Sequence, residues 1–261
     1  MSSMIGCIAQ ARMGSTRLPG KVMMKLDDKN TVIDYVMNQL RHSKLIDKFV
    51  IATTNLREDD TVKAHVKDQK IECFRGSAND VLDRYYQCAK KFSIDTVVRI
   101  TADNPLIDPN IVDLVVEKYK NTKCDFATNT LHRTFPYGTE VEVFSFEALE
   151  KSWKNAKKPS EREHVTPFIR DPQNKFRLVN IERQDDLSHL RYTIDRIEDL
   201  KLVKEIVKNI HAKPISLKHI LDLYKTKPEI FKINENVKHN GYISSLKKDE
   251  QYLKSQKKND S

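Results

Sequence analysis

The chain has 261 residues, of which 39% are hydrophobic and 32% are charged, and its formal net charge is +9. This length suits one large α/β domain, and the hydrophobic content excludes a chain that is disordered throughout. The amino-terminal apolar stretch is too short for a signal peptide, and no apolar run is long enough to span a membrane. We therefore expect a cytoplasmic protein with no membrane partner.

Much of the lysine lies after residue 200. The lysines near the carboxyl terminus include Lys247, Lys248, Lys254, Lys257 and Lys258. Because no nucleic-acid-binding motif accompanies them, we interpret them as a solvated surface and expect no nucleic-acid partner. The composition predicts a folded domain over residues 1–236 and a Lys-rich, flexible tail over residues 237–261.

The cysteines lack the spacing of a zinc site and form no C-x-x-C pair. They are Cys7, Cys73, Cys88 and Cys124. Three of them fall in predicted strands, where buried thiols are common, so we expect reduced core cysteines in a reducing compartment.

The first half of the chain alternates between predicted strands and predicted helices. Strands are predicted at 4–11, 49–54, 71–74, 95–101 and 124–128, and helices at 31–45, 57–69, 79–92 and 109–119. Thr31, Asn79 and Asp108 are placed to cap three of these helices. Such alternation predicts an α/β fold with a mainly parallel central sheet and helices on both faces. Ligands of such a sheet lie beyond the carboxyl ends of its strands.

The pattern changes in the second half of the chain. Residues 135–144 alternate between apolar and polar side chains, which predicts a small antiparallel extension of the sheet. Ser160 and Glu163 fit a capping box at the start of a predicted helix. Further helices are predicted at 146–156, 160–170, 197–210 and 216–224, and further strands at 176–181 and 190–194.

A basic loop follows the first predicted strand. Arg12, Arg17 and Lys21 place three cations within ten residues, and backbone N–H groups around Gly14 and Ser15 can form an anion-binding concavity. This arrangement suits a triphosphate, although the loop matches neither the P-loop motif nor G-x-G-x-x-G. The alternative is a solvated basic loop.

Two carboxylates come directly after predicted strands. Asp103 follows the strand at 95–101, and Asp195 follows the strand at 190–194. A carboxylate at the carboxyl end of a central parallel strand is well placed to bind Mg²⁺, which takes one or two protein carboxylates and completes its shell with phosphate and water. Asp195 can instead cap the following helix, where Asp199 supplies negative charge to the first turn.

The segment I-A-Q-A-R-M-G-S-T-R-L-P-G-K, which ends at Lys21, resembles the opening motif of the cytidylyltransferases that make CMP-activated acidic sugars. These include the acylneuraminate and Kdo types, and the resemblance is closer to the spore-coat polysaccharide biosynthesis branch. It covers residues 5–210. It implies a Rossmann-like, GT-A-like nucleotidyltransferase fold and a Mg²⁺-dependent reaction of CTP with a small acidic acceptor that releases pyrophosphate. Related enzymes are often homodimers.

The resemblance also implies roles for individual residues. Those implied for the nucleotide are Ala11, Arg12, Gly14, Ser15, Lys21, Arg75, Ser77, Arg84, Thr101 and Ala102. Within this set Ser77 would read the cytosine edge with Arg75 nearby, and Arg84 would point towards phosphate. The catalytic residues implied are Arg12, Lys21 and Asp103, and the metal ligands are Asp103 and Asp195. Those implied for the acceptor are Tyr137, Glu140, Glu142, Glu163 and His164.

Several alternatives stay open. His164 either touches or deprotonates the acceptor, or is an ordinary histidine on a helix surface. The sequence around Gly138 departs from the family's usual pattern, so a phosphonate or another acid can replace the sugar. A GT-A-type glycosyltransferase would share the nucleotide-binding half but usually carries an Asp-x-Asp motif. A nucleotide-binding regulator without turnover would lack the catalytic set that this chain has.

Overall fold

The computed structural model describes residues 3–237 and 241–259, and a seven-stranded sheet of order β3-β2-β1-β4-β6-β5-β7 lies at its centre. The strands are β1 (Ile5–Gln10), β2 (Lys48–Thr54), β3 (Glu72–Gly76), β4 (Thr96–Thr101), β5 (Phe126–Thr128), β6 (Glu142–Ser145) and β7 (Leu178–Asn180). Strands β3, β2, β1 and β4 are mutually parallel, and β5 is parallel to β7. Strand β6 runs antiparallel to β4 and β5. The predicted mainly parallel sheet with a small antiparallel part is confirmed.

The chain leaves β1 in one direction to form β2 and returns to its other side to form β4. Loops that follow β1 and β4 therefore diverge, which leaves a crevice at the carboxyl ends of these two strands. Because β6 is antiparallel, its first residue, Glu142, lies at the same edge, paired in register with Arg99 of β4.

Ten helices in the described ranges surround the sheet. They are α1 (Val32–Leu40), α2 (Asp60–Asp68), α3 (Val81–Lys91), α4 (Pro109–Asn121), α5 (Phe146–Asn155), α6 (Pro159–His164), α7 (Pro167–Arg170), α8 (Ile197–Asn209), α9 (Leu217–Thr226) and α10 (Gly241–Asn259). One core packs α1, α2 and α4 against the sheet, and a second core packs α3, α5 and α7 against its other face. A third apolar cluster joins α8 and α9 to the segment that precedes α8. Helices thus cover both faces, as the alternation predicts.

Helix capping follows the sequence at two of the three predicted positions. Thr31 and Asp34 form a capping box at α1, and the Asp108 side chain accepts a hydrogen bond from the backbone N–H of Asn110 at α4. At α3 the prediction is wrong by one residue, because Asp80 rather than Asn79 caps the helix by accepting from Asp83 N–H.

The second half departs further from prediction. Of residues 135–144, only the last three belong to β6, and residues 190–194 form no strand but one isolated bridge, Tyr137 to Arg191. The single helix predicted at 160–170 is divided into α6 and α7 by Val165, whose φ is 71°. The predicted Ser160–Glu163 capping box is also wrong, since the Glu161 carboxylate accepts from the N–H groups before α6.

Helix α10 lies in the segment predicted as a tail, and it packs against α6. Its polar side chains make several of these contacts, including a hydrogen bond from Ser160 N–H to Asp249. No helix in the described ranges is both long and apolar enough to cross a membrane.

Candidate active site

A cavity of about 480 Å³, hereafter the first cavity, opens at the carboxyl ends of β1 and β4. Its walls include the loop after β1, the end of β4, the amino-terminal part of α3 and one face of α6 and α10. The predicted nucleotide residues that line it are Ala11, Arg12, Ser15, Lys21, Arg84, Thr101 and Ala102. The predicted metal ligands Asp103 and Asp195 and the predicted acceptor residues Glu163 and His164 line it as well.

The loop after β1 is held by backbone contacts at its two ends. The Met13 carbonyl oxygen accepts from the N–H groups of Ser15 and Gly20, each at 2.8 Å. Gly20 has a φ of 70°, a conformation that other residues rarely adopt, and it directly precedes Lys21. Met13 N–H donates to the buried carboxylate of Asp59 at 2.7 Å. These contacts fix the conformation of the loop just before Lys21, whose side chain enters the first cavity.

Lys21 lies between the two strand-end carboxylates. Its Nζ is 2.9 Å from Asp103 Oδ2 and 3.6 Å from Asp195 Oδ1, and it donates to the Ile194 carbonyl oxygen at 2.6 Å. Asp195 also receives two hydrogen bonds from Arg17, at 2.5 and 2.8 Å. Ile194 N–H donates to the Asp103 carbonyl oxygen at 2.8 Å, which brings the segment before α8 against the end of β4.

The charge state of Asp103 follows from this arrangement. Burial would raise its pKa, but the charge and hydrogen bond of Lys21 outweigh burial and hold the pKa below its usual value. Asp103 is therefore ionised at neutral pH. Two carboxylates that share one ammonium group offer the hard oxygen ligands that Mg²⁺ takes, so the donor set fits this metal. No group of three or more acidic, histidine or cysteine side chains suited to a metal occurs in the described part of the chain.

Arg84 is a buried cation without a carboxylate partner in the described ranges. Its side chain is 1% exposed, its Nε has no hydrogen-bond partner, and burial lowers its pKa. An unpaired buried charge costs free energy unless a ligand compensates it. Arg12 lies close enough to lower the Arg84 pKa further. Among the described residues, neither Arg12 nor Arg84 forms an ion pair with a carboxylate, so the two guanidinium groups suit an anionic ligand.

Positive charge predominates in the lining of the first cavity. Six cationic side chains, from Arg12, Arg17, Lys21, Arg84, Arg99 and Lys248, face three carboxylates, from Asp103, Glu163 and Asp195. The formal excess is three positive charges, and it is confined to a concave site where it acts on a ligand most strongly.

A second cavity of about 420 Å³ adjoins the first one and shares Arg99 and Thr101 with it. The other three predicted acceptor residues, Tyr137, Glu140 and Glu142, line this second cavity. Arg99 pairs with Glu142 at 2.5 Å, so this ion pair stands between the two cavities.

Two more arginines line the second cavity. Arg133 pairs with Glu140 at 2.8 Å and stacks over the Tyr137 ring, 3.9 Å from its centroid. Arg170 is exposed, and it pairs with no carboxylate in the described ranges. Sequence reasoning passed over both arginines, because neither lies next to a strand end or in a recognisable motif.

His164 and Glu163 lie at the carboxyl-terminal end of α6, facing α10. A His164 Nε2–Ser245 Oγ contact measures 2.8 Å, and Glu163 accepts from Lys248 at 3.1 Å. Burial lowers the His164 pKa, so the imidazole is largely neutral at pH 7. Sequence reasoning placed Lys248 on a solvated surface and did not associate it with these residues.

Three predicted nucleotide residues lie outside both cavities. Arg75 donates to the carbonyl oxygens of Thr54 and Leu56, at 2.8 Å each, and also bonds Asp60. Ser77 accepts from Asp80 N–H at 3.1 Å, and Gly14 is also absent from the cavity lining. None of these three residues therefore lines either cavity.

Comparison with known proteins agrees with this geometry. Residues 6–248 match the family model "Cytidylyltransferase". The spore coat polysaccharide biosynthesis protein SpsF of Bacillus subtilis is 32% identical over 230 residues, which is 85% of this chain and 94% of that protein. A cytidylyltransferase structure from Leptospira borgpetersenii has a TM-score of 0.86 and 36% identity, and covers 91% of this chain and 100% of that one.

A more distant structure shares the fold. The CMP:2-keto-3-deoxy-manno-octonic acid synthetase complexed with CTP has a TM-score of 0.61 at 17% identity, over 79% of this chain and 99% of that one. The match to the family model spans most of the chain, and SpsF is similar over nearly its whole length. The protein is thus a nucleotidyltransferase and belongs to the cytidylyltransferase family.

Proposed function

We propose that this enzyme transfers the cytidylyl group of CTP to an oxygen of a small acidic acceptor and releases pyrophosphate. The acceptor we favour is a nonulosonic acid or a similar acidic sugar. One observation carries the proposal: Arg12, Lys21 and Arg84 share a single cavity with the carboxylates of Asp103 and Asp195, and a second, arginine-lined cavity adjoins it.

In this reaction the acceptor oxygen attacks the α-phosphorus of CTP, an O–P bond forms, and the bond from the α-phosphorus to the bridging oxygen breaks. The electron pair leaves with pyrophosphate. Such a transfer needs mainly positioning and stabilisation of negative charge. Arg12, Lys21 and Arg84 would bind the phosphates.

Asp103 and Asp195 would hold Mg²⁺, which neutralises phosphate charge when it is bound. In the structure, the Lys21 ammonium group lies between these two carboxylates and contacts both. It therefore keeps these two negative charges together in the free protein, where their mutual repulsion would otherwise separate them.

The second cavity supports an acidic acceptor. Two of its three arginines are neutralised, Arg99 by Glu142 and Arg133 by Glu140, and Arg170 keeps its charge. Glu140 also accepts from Gly138 N–H and Asn104, which fixes its carboxylate. A carboxylate or phosphonate on the acceptor would compensate Arg170, because a guanidinium can donate two parallel hydrogen bonds to the oxygens of either group.

His164 is the residue we assign to deprotonation of the acceptor. A neutral imidazole at the edge of the first cavity can take the proton of an attacking hydroxyl. Its Ser245 contact and the neighbouring Glu163 orient the ring. Glu163 would contact the acceptor.

The proposal includes a cytoplasmic location, where CTP is available, and a homodimer. Size-exclusion chromatography with light scattering measures the second point, and a monomeric mass at micromolar concentration would contradict it.

The test is a pyrophosphate-release assay that combines each of the four nucleoside triphosphates with Mg²⁺ and a panel of acceptors. The panel contains nonulosonic acids, Kdo, phosphonates and a neutral sugar as control. We expect release with CTP and an acidic sugar. Release with a phosphonate and with no sugar would show that the acceptor is a phosphonate and not an acidic sugar. Transfer from a nucleotide sugar without release of pyrophosphate would indicate a glycosyltransferase.

A matched variant tests the acceptor side. Arg170→Ala should raise the acceptor KM roughly tenfold, the loss expected for one charge-assisted hydrogen bond, and leave the CTP KM within about twofold. Lys151→Ala, an exposed cation outside both cavities, is the control. An equal effect on both substrates would contradict the role of Arg170.

A further inference from the structure

Helix α10 brings one lysine of the Lys-rich carboxyl-terminal segment into the first cavity. Lys248 lines this cavity, whereas its neighbour Lys247 is exposed and does not. We propose that Lys248 is a substrate-binding residue that contacts the phosphates of CTP. The inference rests on the proposed function and adds to it a residue that lies in none of the sequence motifs.

The docking of α10 is specific. Ser245, Lys248 and Asp249 have i, i+3 and i+4 spacing and therefore share one face of the helix. Ser245 is 1% exposed and Asp249 is 8% exposed, although both are polar. Buried polar groups need partners, and these two have them in α6.

The partners are the backbone and side chain of Ser160 for Asp249, and His164 and Glu163 for Ser245. This pairing fixes the rotation of α10. It directs the face that carries Lys248 to the first cavity and turns Lys247 and Leu246 to solvent.

The existing contact of Lys248 is a weak one. Its ammonium is 3.1 Å from Glu163 Oε2, and the two side chains are 56% and 35% exposed. Exposed ion pairs of this kind contribute little, because water screens them. The flexible side chain can therefore move its ammonium group from Glu163 to a phosphate oxygen. The excess positive charge of the cavity favours a phosphate at this place.

The position of Lys248 in the lining assigns its ammonium group to the nucleotide. Lys248 lines the first cavity and not the second, so it is on the side of Arg12 and Arg84 rather than that of Arg170. Together with the loop after β1, α10 would enclose the phosphate chain from the opposite wall.

The experiment measures dissociation constants of the full-length protein for CTP, CMP and cytidine by isothermal titration calorimetry with Mg²⁺. Lys248→Ala should weaken CTP binding roughly tenfold, as expected for one charge-assisted contact, with a smaller effect on CMP and none on cytidine. Lys248→Arg should keep most of the affinity. The matched control is Lys247→Ala, which removes the same charge one residue away and should stay within about twofold of wild type.

A second variant separates direct contact from overall charge. Asp249→Ala removes the partner of Ser160 and frees α10, so CTP binding should weaken although Lys248 is still present. The double variant should then be no weaker than the weaker single one, because both changes remove the same contact.

Equal CTP affinity for Lys248→Ala and Lys247→Ala would overturn the inference while the proposed function stands. Wild-type protein that binds no CTP would overturn the proposed function, and this inference with it.

Discussion

The two cavities are built in different ways. The first cavity rests mainly on the ends of β1 and β4, whose backbone hydrogen bonds run in a continuous parallel ladder. The second cavity rests largely on segments outside regular structure, around residues 130–140. Several backbone groups there are satisfied by side chains: Glu140 accepts from Gly138 N–H, and Asn129 bonds both Val141 and Thr139.

The segment before α8 is held in the same way as the second cavity. Asp199 is fully buried, and it accepts from the N–H groups of Asp195 and Arg196 and from the side chains of Arg191 and Asn234. Every buried backbone group needs a partner, and a sheet provides these partners without regard to side chains. Where no sheet is present, particular carboxylates and amides must do so, which makes the region depend on single residues.

The largest expected effect is on stability. Asp199→Ala removes a fully buried carboxylate that accepts hydrogen bonds from four groups, one of them the Arg191 guanidinium, so the free energy of unfolding should fall by about 3–5 kcal/mol in urea denaturation. Glu198→Ala, in the same helical turn, is the control and should change it by less than about 0.5 kcal/mol. We call the part held by the β1–β4 ladder the ladder-held region, and the second cavity with the segment before α8 the side-chain-held region. Similar losses in the two variants would contradict this contrast.

The second prediction concerns the ladder-held side. Arg12→Ala and Asp103→Ala should each lower kcat/KM for CTP by about 10²- to 10³-fold, the usual cost of one electrostatic contact to the reacting group. Folding should survive, because β4 does not depend on the Asp103 side chain. Asp68→Ala, at the exposed end of α2, is the control for the carboxylate. Turnover near that of wild type in either site variant would remove that residue from the catalytic assignment.

Replacement of Arg84 should have opposite effects on the stability of the protein and on its affinity for CTP. Arg84→Met keeps the buried length without the unpaired charge, so the ligand-free protein should be as stable as wild type or about 1 kcal/mol more stable. The same variant should bind CTP at least tenfold more weakly. Thermal unfolding with and without CTP measures both quantities. A destabilised variant that binds CTP normally would show that Arg84 serves packing and not the phosphates.

The smallest effect concerns pH. Burial lowers the His164 pKa in the folded protein, so the unfolded chain binds this proton more tightly. Stability should therefore fall as pH drops below the ordinary histidine pKa of about 6.5, by at most about 1.4 kcal/mol per pH unit for this one proton. His164→Gln should flatten this part of the curve between pH 7 and 5. A curve of unchanged slope would mean that His164 has an ordinary pKa.

The sequence predicts the ladder-held region well. Apolar runs of strand length, Thr31 as a helix cap and Asp103 at a strand end are local signals, and the parallel sheet then places the carboxyl ends of β1 and β4 side by side. The contact of Lys21 with Asp103 follows from that topology.

The side-chain-held region is less predictable, for physical reasons. The strand expected at 190–194 has the right composition, but its neighbours offer one bridge instead of a ladder. The division between α6 and α7 did have a signal, because Pro167 lacks a backbone N–H and is best tolerated in the first turn of a helix, which is where α7 begins. The position of α10 had none, since its polar face finds its partners 80 or more residues earlier in the chain.

The Arg99–Glu142 pair has a consequence for how selectivity can change. It joins two neighbouring strands, and Thr166 donates to the same carboxylate at 2.8 Å, so the partition between the cavities is tied to β4, β6 and α7 at once. A substitution at Glu142 that enlarges the second cavity, which we propose for the acceptor, also removes the ion-pair partner of Arg99, which lines the first cavity as well. A substitution at this position that changes the preferred acceptor would then also change the binding of CTP. An engineer would have to adjust the residues of both cavities together.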